Sequence, residues 1–271
     1  MNRLASRRVR NRTLESAGGE PLSMTISHGD LTIDWLGYAT VRIESGDGTV
    51  VYLDPGRYGT LTGEWAPDTE GVGHPPARDY DARDGDLVLV THDHHYDSDG
   101  IRRVAREDAT VVVYDAVYPP GIDRDVEPLD DLPQDVVRVD EHTDRLFEDV
   151  IVRTIAAYNE PDGPHVDDQG EPYHSEGTGI GYHLTIGDTT VFWPGDSDAL
   201  PGHEELDVDV FLPSISGNFT MDRREAADLA EALDPALVAP IHYNTFGALE
   251  ADAEAFENDL ERRGVPVALD E

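Results

Sequence analysis

Cysteine and lysine are both absent from this 271-residue chain. Without cysteine there are no disulfides, no thiolate metal sites and no cysteine nucleophile, so any metal must sit on histidine, carboxylate, carbonyl or water. Without lysine every basic side chain is an arginine, and 20 arginines face 57 aspartates and glutamates for a net charge of −37. A surface of that sign repels nucleic acid, which needs a basic face. No apolar run approaches the length of a membrane span, so neither membrane nor nucleic acid is an expected partner. The acids are interspersed with regular apolar segments rather than gathered into tails, which reads as a folded chain and not a disordered one. Such one-sided charge keeps a protein soluble but strains its fold by self-repulsion, which salt screens. The acidity therefore reads as adaptation to a salt-rich cytoplasm, the expected location.

The first two dozen residues differ from the rest. Arg3, Arg7, Arg8, Arg10 and Arg12 outnumber Glu15 and Glu20. Ser6-Arg7-Arg8 invites comparison with a twin-arginine export signal, but the polar Asn11–Ser16 stands where such a signal needs an apolar segment. Residues 1–23 are expected to be a disordered basic leader, and 24–271 a single domain, because no linker divides the remainder.

Beyond the leader, Leu31–Trp35, Thr40–Glu44 and Thr49–Leu53 read as short strands, the latter two joined through the hairpin signal Ser45-Gly46-Asp47-Gly48. Further strands are expected at Leu87–Val90, Thr110–Tyr114, Val136–Val139, Val150–Ile155, Ile180–Ile186, Thr190–Trp193, Val208–Leu212, Leu237–Ile241 and Val265–Leu269. Helices are expected at Ile101–Arg106, at Met221–Leu233 capped by Thr220, and at Leu249–Arg263 ended by Gly264. Strands first and then mixed strand and helix, in two halves, predict a layered α/β fold.

The densest chemistry lies in Leu87-Val-Leu-Val-Thr-His-Asp-His-His-Tyr-Asp97, where a strand of the doubly buried type runs into three histidines and two aspartates. Open α/β sheets bind ligands beyond the carboxyl ends of such strands. In extended chain His92 and His94 point the same way, so both can grip one ion. Three other strand ends carry ligand-type residues: Tyr158-Asn159 and a loop with His165 and His174, then Gly195-Asp196-Ser197-Asp198, then His242. Three imidazoles and a bridging carboxylate converging on one rim have the chemistry of a divalent metal site. His183, His142 and His203 are read as structural.

Thr91-His92-Asp93-His94 resembles the opening of the His-x-His-x-Asp-His motif of the metallo-β-lactamase-fold hydrolases. Trp35–Thr40 is similar to that superfamily's Leu-Gly-His-Ala-Thr element, and Leu53-Asp54-Pro55 to its Ile-Asp-Pro. Ala157-Tyr158-Asn159, His174–Tyr182, Gly195–Asp198, Phe219–Asp222 and Pro240–Tyr243 resemble, in order and spacing, elements of its lactonase-like branch, which includes L-ascorbate-6-phosphate lactonase. The resemblance selects His174 over His165. It implies a four-layer αβ/βα sandwich and a metal-dependent hydrolase acting on an ester, lactone or similar bond of a small-molecule substrate. A phosphodiesterase and a non-catalytic metal-binding protein are the alternatives, and self-association into a homo-oligomer is left open.

Two departures stand out. Tyr96 and Asp97 occupy the motif's Asp and last His positions, or, with a one-residue slip, Asp97 and Ser98 do; and Tyr38 stands where the first-strand histidine belongs. The implied ligands are His92, His94, His174 and Asp196 for a first ion, with Asp196, His242 and Asp97 for a second. Asp196 would bridge and Asp97 would relay protons. A second site so rich in oxygen tilts from zinc toward manganese or iron, or is left weakly filled. Tyr158, Asn159, Tyr243 and Asn244 flank the ligands and are expected to orient substrate.

Overall fold

The computed structural model describes residues 25–70 and 72–270, so the expected leader lies outside the described residues. Strands β1 (Ile26–His28), β2 (Leu31–Gly37), β3 (Thr40–Glu44), β4 (Val50–Leu53), β5 (Gly85–Val90), β6 (Ala105–Tyr114) and β7 (Asp135–Val139) form one sheet in sequential order. Its first half is an antiparallel meander, whereas β4 through β7 run parallel. A second sheet takes β8 (Asp144–Phe147), β9 (Val150–Ala157), β10 (Gly179–Ile186), β11 (Thr189–Trp193), β12 (Val210–Phe211) and β13 (Leu237–Val238) in the same sequential fashion. Here β8 through β11 are antiparallel and β11 through β13 parallel. One apolar core draws on both sheets, including Val88, Leu89 and Val90 of β5 and Tyr182, Phe192 and Trp193 of β10 and β11. The α/β sandwich expected of the sequence is therefore present.

Local chemistry explains most boundaries. The apolar, β-branched run of β5 is flanked by parallel neighbours and buried on both faces, as its pattern requires. Gly187 (φ 59°) makes the turn between β10 and β11, where a side chain would be strained. Helix α1 (Ser98–Val104) starts three residues earlier than expected, because Asp97 caps it by accepting from the Gly100 amide at 2.9 Å. Helix α2 (Arg223–Leu233) is capped by Asp222, not Thr220. The Asp222 carboxylate accepts from the amides of Arg224 and Glu225, and the Glu225 carboxylate accepts from the Asp222 amide, a full capping box. Thr220 is instead buried, with its hydroxyl 2.7 Å from that of Ser214. Helix α3 (Ala253–Arg263) begins at an Asp252 cap and ends at left-handed Gly264, so only the last part of the expected Leu249–Arg263 helix is α-helical. Strands β1 and β8 were not legible in sequence. Both are short, and β8 is an edge strand with mostly exposed residues. No helix among the described residues is long and apolar enough to cross a membrane.

The parallel strands fix where chemistry collects. Asp54 follows β4, His92 follows β5, Asp196 follows β11 and His242 follows β13, so four carboxyl-terminal strand ends meet at one rim between the sheets.

Candidate metal centre

Two sets of side chains converge at that rim. His92, His94, His174 and Asp196 form one, and His95, Asp196 and His242 the other, with one donor atom from each residue lying within 4.8 Å of the rest of its set. Asp196 belongs to both and divides its oxygens between them. Its Oδ2 lies 3.3 Å from His174 Nε2 and 3.6 Å from His92 Nε2. Its Oδ1 lies 3.6 Å from both His95 Nε2 and His242 Nε2. The imidazoles also face one another, His94 Nδ1 at 3.2 Å from His174 Nε2 and His95 Nε2 at 3.3 Å from His242 Nε2. Donors around a tetrahedral ion with bonds of about 2.0–2.1 Å are separated by roughly 3.4 Å, which is the spacing seen. His92 Nε2 and Asp196 Oδ1 are buried without a hydrogen-bond partner. One such atom faces each set, and buried unpaired polar atoms are costly unless something positive sits beside them. The residues fit two divalent ions.

The remaining ring nitrogens are held from behind. His92 Nδ1 lies 2.9 Å from the Thr91 hydroxyl, and His95 Nδ1 donates to Asp54 Oδ2 at 3.0 Å. Asp54 is fully buried and is itself fixed by the Thr91 amide and hydroxyl and by Trp193 Nε1. Burial pushes its carboxyl up to about 7, against those hydrogen bonds. His174 Nδ1 lies 3.2 Å from the Phe219 carbonyl and 3.3 Å from Asn159 Oδ1. Such outer partners set the tautomer and aim the ligand.

Electrostatics favour the ligand form of each group. Burial lowers His92, His95 and His242 below the ordinary imidazole value, and desolvation together with His174 lowers His94 to about 4. These imidazoles are neutral at pH 7 and keep a lone pair. Burial opposes ionisation of Asp196, but its contacts with the surrounding histidines, a hydrogen bond with His174 among them, favour the carboxylate and hold the carboxyl below its usual range.

The structure brings together His92, His94, His174, Asp196 and His242, but not Asp97. Both Asp97 oxygens are committed elsewhere, Oδ1 to the Gly100 amide as a helix cap and Oδ2 to the Arg57 amide at 2.8 Å. His95 takes the position expected of Asp97. The chain leaves β5 and turns, with the His95 amide donating to the His92 carbonyl at 3.1 Å, which swings His95 back toward His242. Strict alternation along an extended chain would have sent His95 away from His94, and the local turn is why it does not. The replacement adds a nitrogen donor, so the second set is no longer oxygen-rich. Tyr96, at the motif's Asp position, is buried with its hydroxyl donating to the Glu127 carbonyl, and Ser98 accepts from the Glu127 amide.

The four expected substrate contacts fare differently. Asn159 is fully buried and braces His174, while its Nδ2 donates to Asp198 Oδ1 and to the Phe219 carbonyl. Tyr243 is buried and stacks on Trp35, and Asn244 ties its own loop to the backbone of Ala251. Tyr158 is half-buried, with its amide donating to the Ser197 hydroxyl. None of the four lines the cavity over the metal ligands. His165 is paired with Asp198 at 2.6 Å, behind Asn159. His203 and His183 donate through Nε2 to the carbonyls of Ala156 and Asp207, structural roles.

The cavity, of about 220 Å³, opens onto His94, His174, Asp196 and His242. Its wall is mostly aromatic and apolar: Tyr38, Tyr58, Tyr173, Phe219, Phe246 and Leu249, with Arg57 as its one cation. Tyr38 covers the second set, its ring centroid 5.0 Å from that of His95 and 4.5 Å from that of His242, and its hydroxyl accepts from Arg57 Nη1 at 3.1 Å. Nothing in the sequence marks Arg57, because its loop, residues 54 to 84, has no periodicity to say which way a side chain points.

The profile of the beta-lactamase superfamily domain matches residues 32–242. A UPF0173 metal-dependent hydrolase of Pyrococcus horikoshii is 35% identical over 69% of this chain and 80% of its own length. One of Methanopyrus kandleri is 29% identical over 88% of this chain and 95% of its own. Among solved structures, Igni18, a metallo hydrolase of Ignicoccus hospitalis, superposes with a TM-score of 0.62 at 20% identity, over 89% of this chain and 95% of that one. The chain therefore belongs to the beta-lactamase superfamily, among its UPF0173 metal-dependent hydrolases.

Proposed function

We propose that this metal-dependent hydrolase cleaves an ester or lactone of a small molecule, using two divalent ions held by His92, His94, His174, Asp196, His95 and His242. The observation that carries this reading is the cavity opening directly onto four of those ligands, one of which, His94, is solvent-exposed. A structural metal site is closed, whereas a catalytic one keeps a position for water or substrate. Ions held by these residues would supply a nucleophilic water at neutral pH and would polarise the carbonyl under attack. The chain's own residues do the rest. Asp196 spans both sets with an ionised carboxylate, Asp54 and Asn159 hold the imidazoles that face it, and Phe219, Phe246, Leu249 and Tyr38 exclude bulk water from the mouth. Sets made mainly of imidazole suit zinc or iron better than manganese. The charge of −37 points to a salt-rich cytoplasm as the working medium.

The test is turnover of aryl esters and lactones in molar KCl by protein whose metal content has been measured. Chelation should abolish hydrolysis and re-addition of metal restore it, and Asp196→Asn should lower kcat/KM by more than roughly 100-fold. Protein loaded with two ions that turns over none of these substrates would refute the proposal.

A further inference from the structure

We infer that Arg57 and Arg124 form an oxyanion-binding subsite beside the metal centre, so that the substrate carries a carboxylate or phosphate group next to the scissile bond. The inference rests on the hydrolase reading above and adds the chemical class of its substrate. Its first support is a contrast within the chain. Nine of the described arginines lie within ion-pair distance of aspartate or glutamate side chains. Arg57 and Arg124 are among the six described arginines that do not, and of those six only they line the recess beside His94.

Arg57 lines the cavity over the metal ligands. Its Nη1 donates to the Tyr38 hydroxyl at 3.1 Å, and its guanidinium sits 4.2 Å from the Tyr58 ring centroid. Its Nε is buried with no hydrogen-bond partner. Arg124 is half-buried and held only by main chain, its Nη2 donating to the carbonyls of Asp93 and Tyr96, each at 2.9 Å. The two arginines and His94 line one recess. Two acids share that recess. Asp93 is engaged with the Tyr118 amide at 2.8 Å, and Asp123 is exposed. Burial lowers Arg124 below the ordinary arginine value, and the charge of Arg57 lowers it further. A bound anion relieves that repulsion, and two planar guanidinium forks match its oxygens.

Arg57 is also built into place. Its backbone is left-handed (φ 80°), a conformation that costs a non-glycine residue free energy and tends to persist where function needs it. The Asp97 carboxylate holds its amide. A Cβ on Gly100 would lie 2.4 Å from the Pro55 carbonyl oxygen, so the loop carrying Arg57 is pressed tightly onto the start of α1. Asp97 is thus a positioning residue for Arg57 and not a ligand.

The experiment uses metal-loaded full-length protein and Arg57→Gln and Arg124→Gln variants whose metal content matches the wild type. Aryl esters sharing one leaving group but bearing a neutral, a carboxylate or a phosphate acyl side chain give kcat/KM. Calorimetry with acetate and with inorganic phosphate gives anion affinity independently of turnover. Each variant should lower the anionic-to-neutral ratio of kcat/KM, and weaken anion binding, by roughly 10- to 150-fold. Arg57→Lys should recover only part of the loss, and Arg145→Gln, at an exposed arginine of β8, should change nothing. The arm that loses more identifies the oxyanion. Anion binding that weakens in the variants of a protein inactive on every ester would overturn the ester reading and leave the subsite standing. Ester turnover with ratio and anion affinity unchanged in both variants would overturn the subsite alone, as would wild-type protein that binds neither anion.

Discussion

Exchanging the roles of His95 and Asp97 is the sharpest way to test the metal centre. His95→Ala removes a fully buried imidazole whose Nε2 lies 3.6 Å from Asp196 Oδ1 and 3.3 Å from His242 Nε2. That leaves two donors in the second set, and the affinity lost should exceed the roughly 10- to 100-fold that removal of an outer partner alone causes. Metal content after dialysis should fall from two ions per chain to one. Asp97→Ala removes a helix cap, about 1 kcal/mol, and a charge-assisted bond to the Arg57 amide, about 1.5–3 kcal/mol. In a domain of this size each kcal/mol moves the melting temperature by roughly 2–4 °C. Asp97→Ala should therefore melt about 5–15 °C lower while keeping two ions. Asp97→Asn, which retains cap chemistry, should lose less stability and also keep both. The assays are elemental mass spectrometry and thermal melts by circular dichroism in molar KCl. Loss of an ion from Asp97→Asn, or two ions retained by His95→Ala, would refute the assignment.

Asp54→Ala leaves His95 Nδ1 without its carboxylate, and second-site metal affinity should drop by roughly 10- to 100-fold while the first site, which Asp54 reaches only through Thr91, loses less; competitive titration with a chelator reads both constants, and equal loss at both sites would contradict it. With a charge of −37, transfer from molar to millimolar KCl should lower the melting temperature and loosen the fold by circular dichroism, and unchanged traces would refute adaptation to salt. Burial lowers His203, whose Nδ1 accepts from the Leu200 amide and has no room for a second proton. The unfolded chain takes up that proton near pH 6.5 and the native one does not, so His203 contributes stability above pH 6.5 that is lost as pH falls below it. His203→Gln should accordingly show a smaller drop in melting temperature between pH 7 and 5 than the wild type, and an identical drop would disprove the linkage.

Much of the fold was legible because its signals are local. β3 is found where expected, and β4, β5, β10 and β11 differ only at an end, because each is a periodic or β-branched run bounded by glycine, aspartate or a hairpin turn. β12 and β13 are shorter than the expected Val208–Leu212 and Leu237–Ile241. Their apolar runs continue past the last sheet pairing into the loops that carry Ser214 and His242.

By itself the sequence determined that any metal would rest on imidazole and carboxylate, since no thiol exists, and that His92, His94, His174, Asp196 and His242 follow strands able to bring them together. Residue type and strand end are properties of the chain. The second ion's third donor and the mouth of the site were decided only in three dimensions. The turn after β5 chose His95 over Asp97, and the packing of the residue 54–58 loop on α1 turned Arg57 toward the cavity. Neither follows from spacing, because each depends on which backbone groups a distant segment offers as partners.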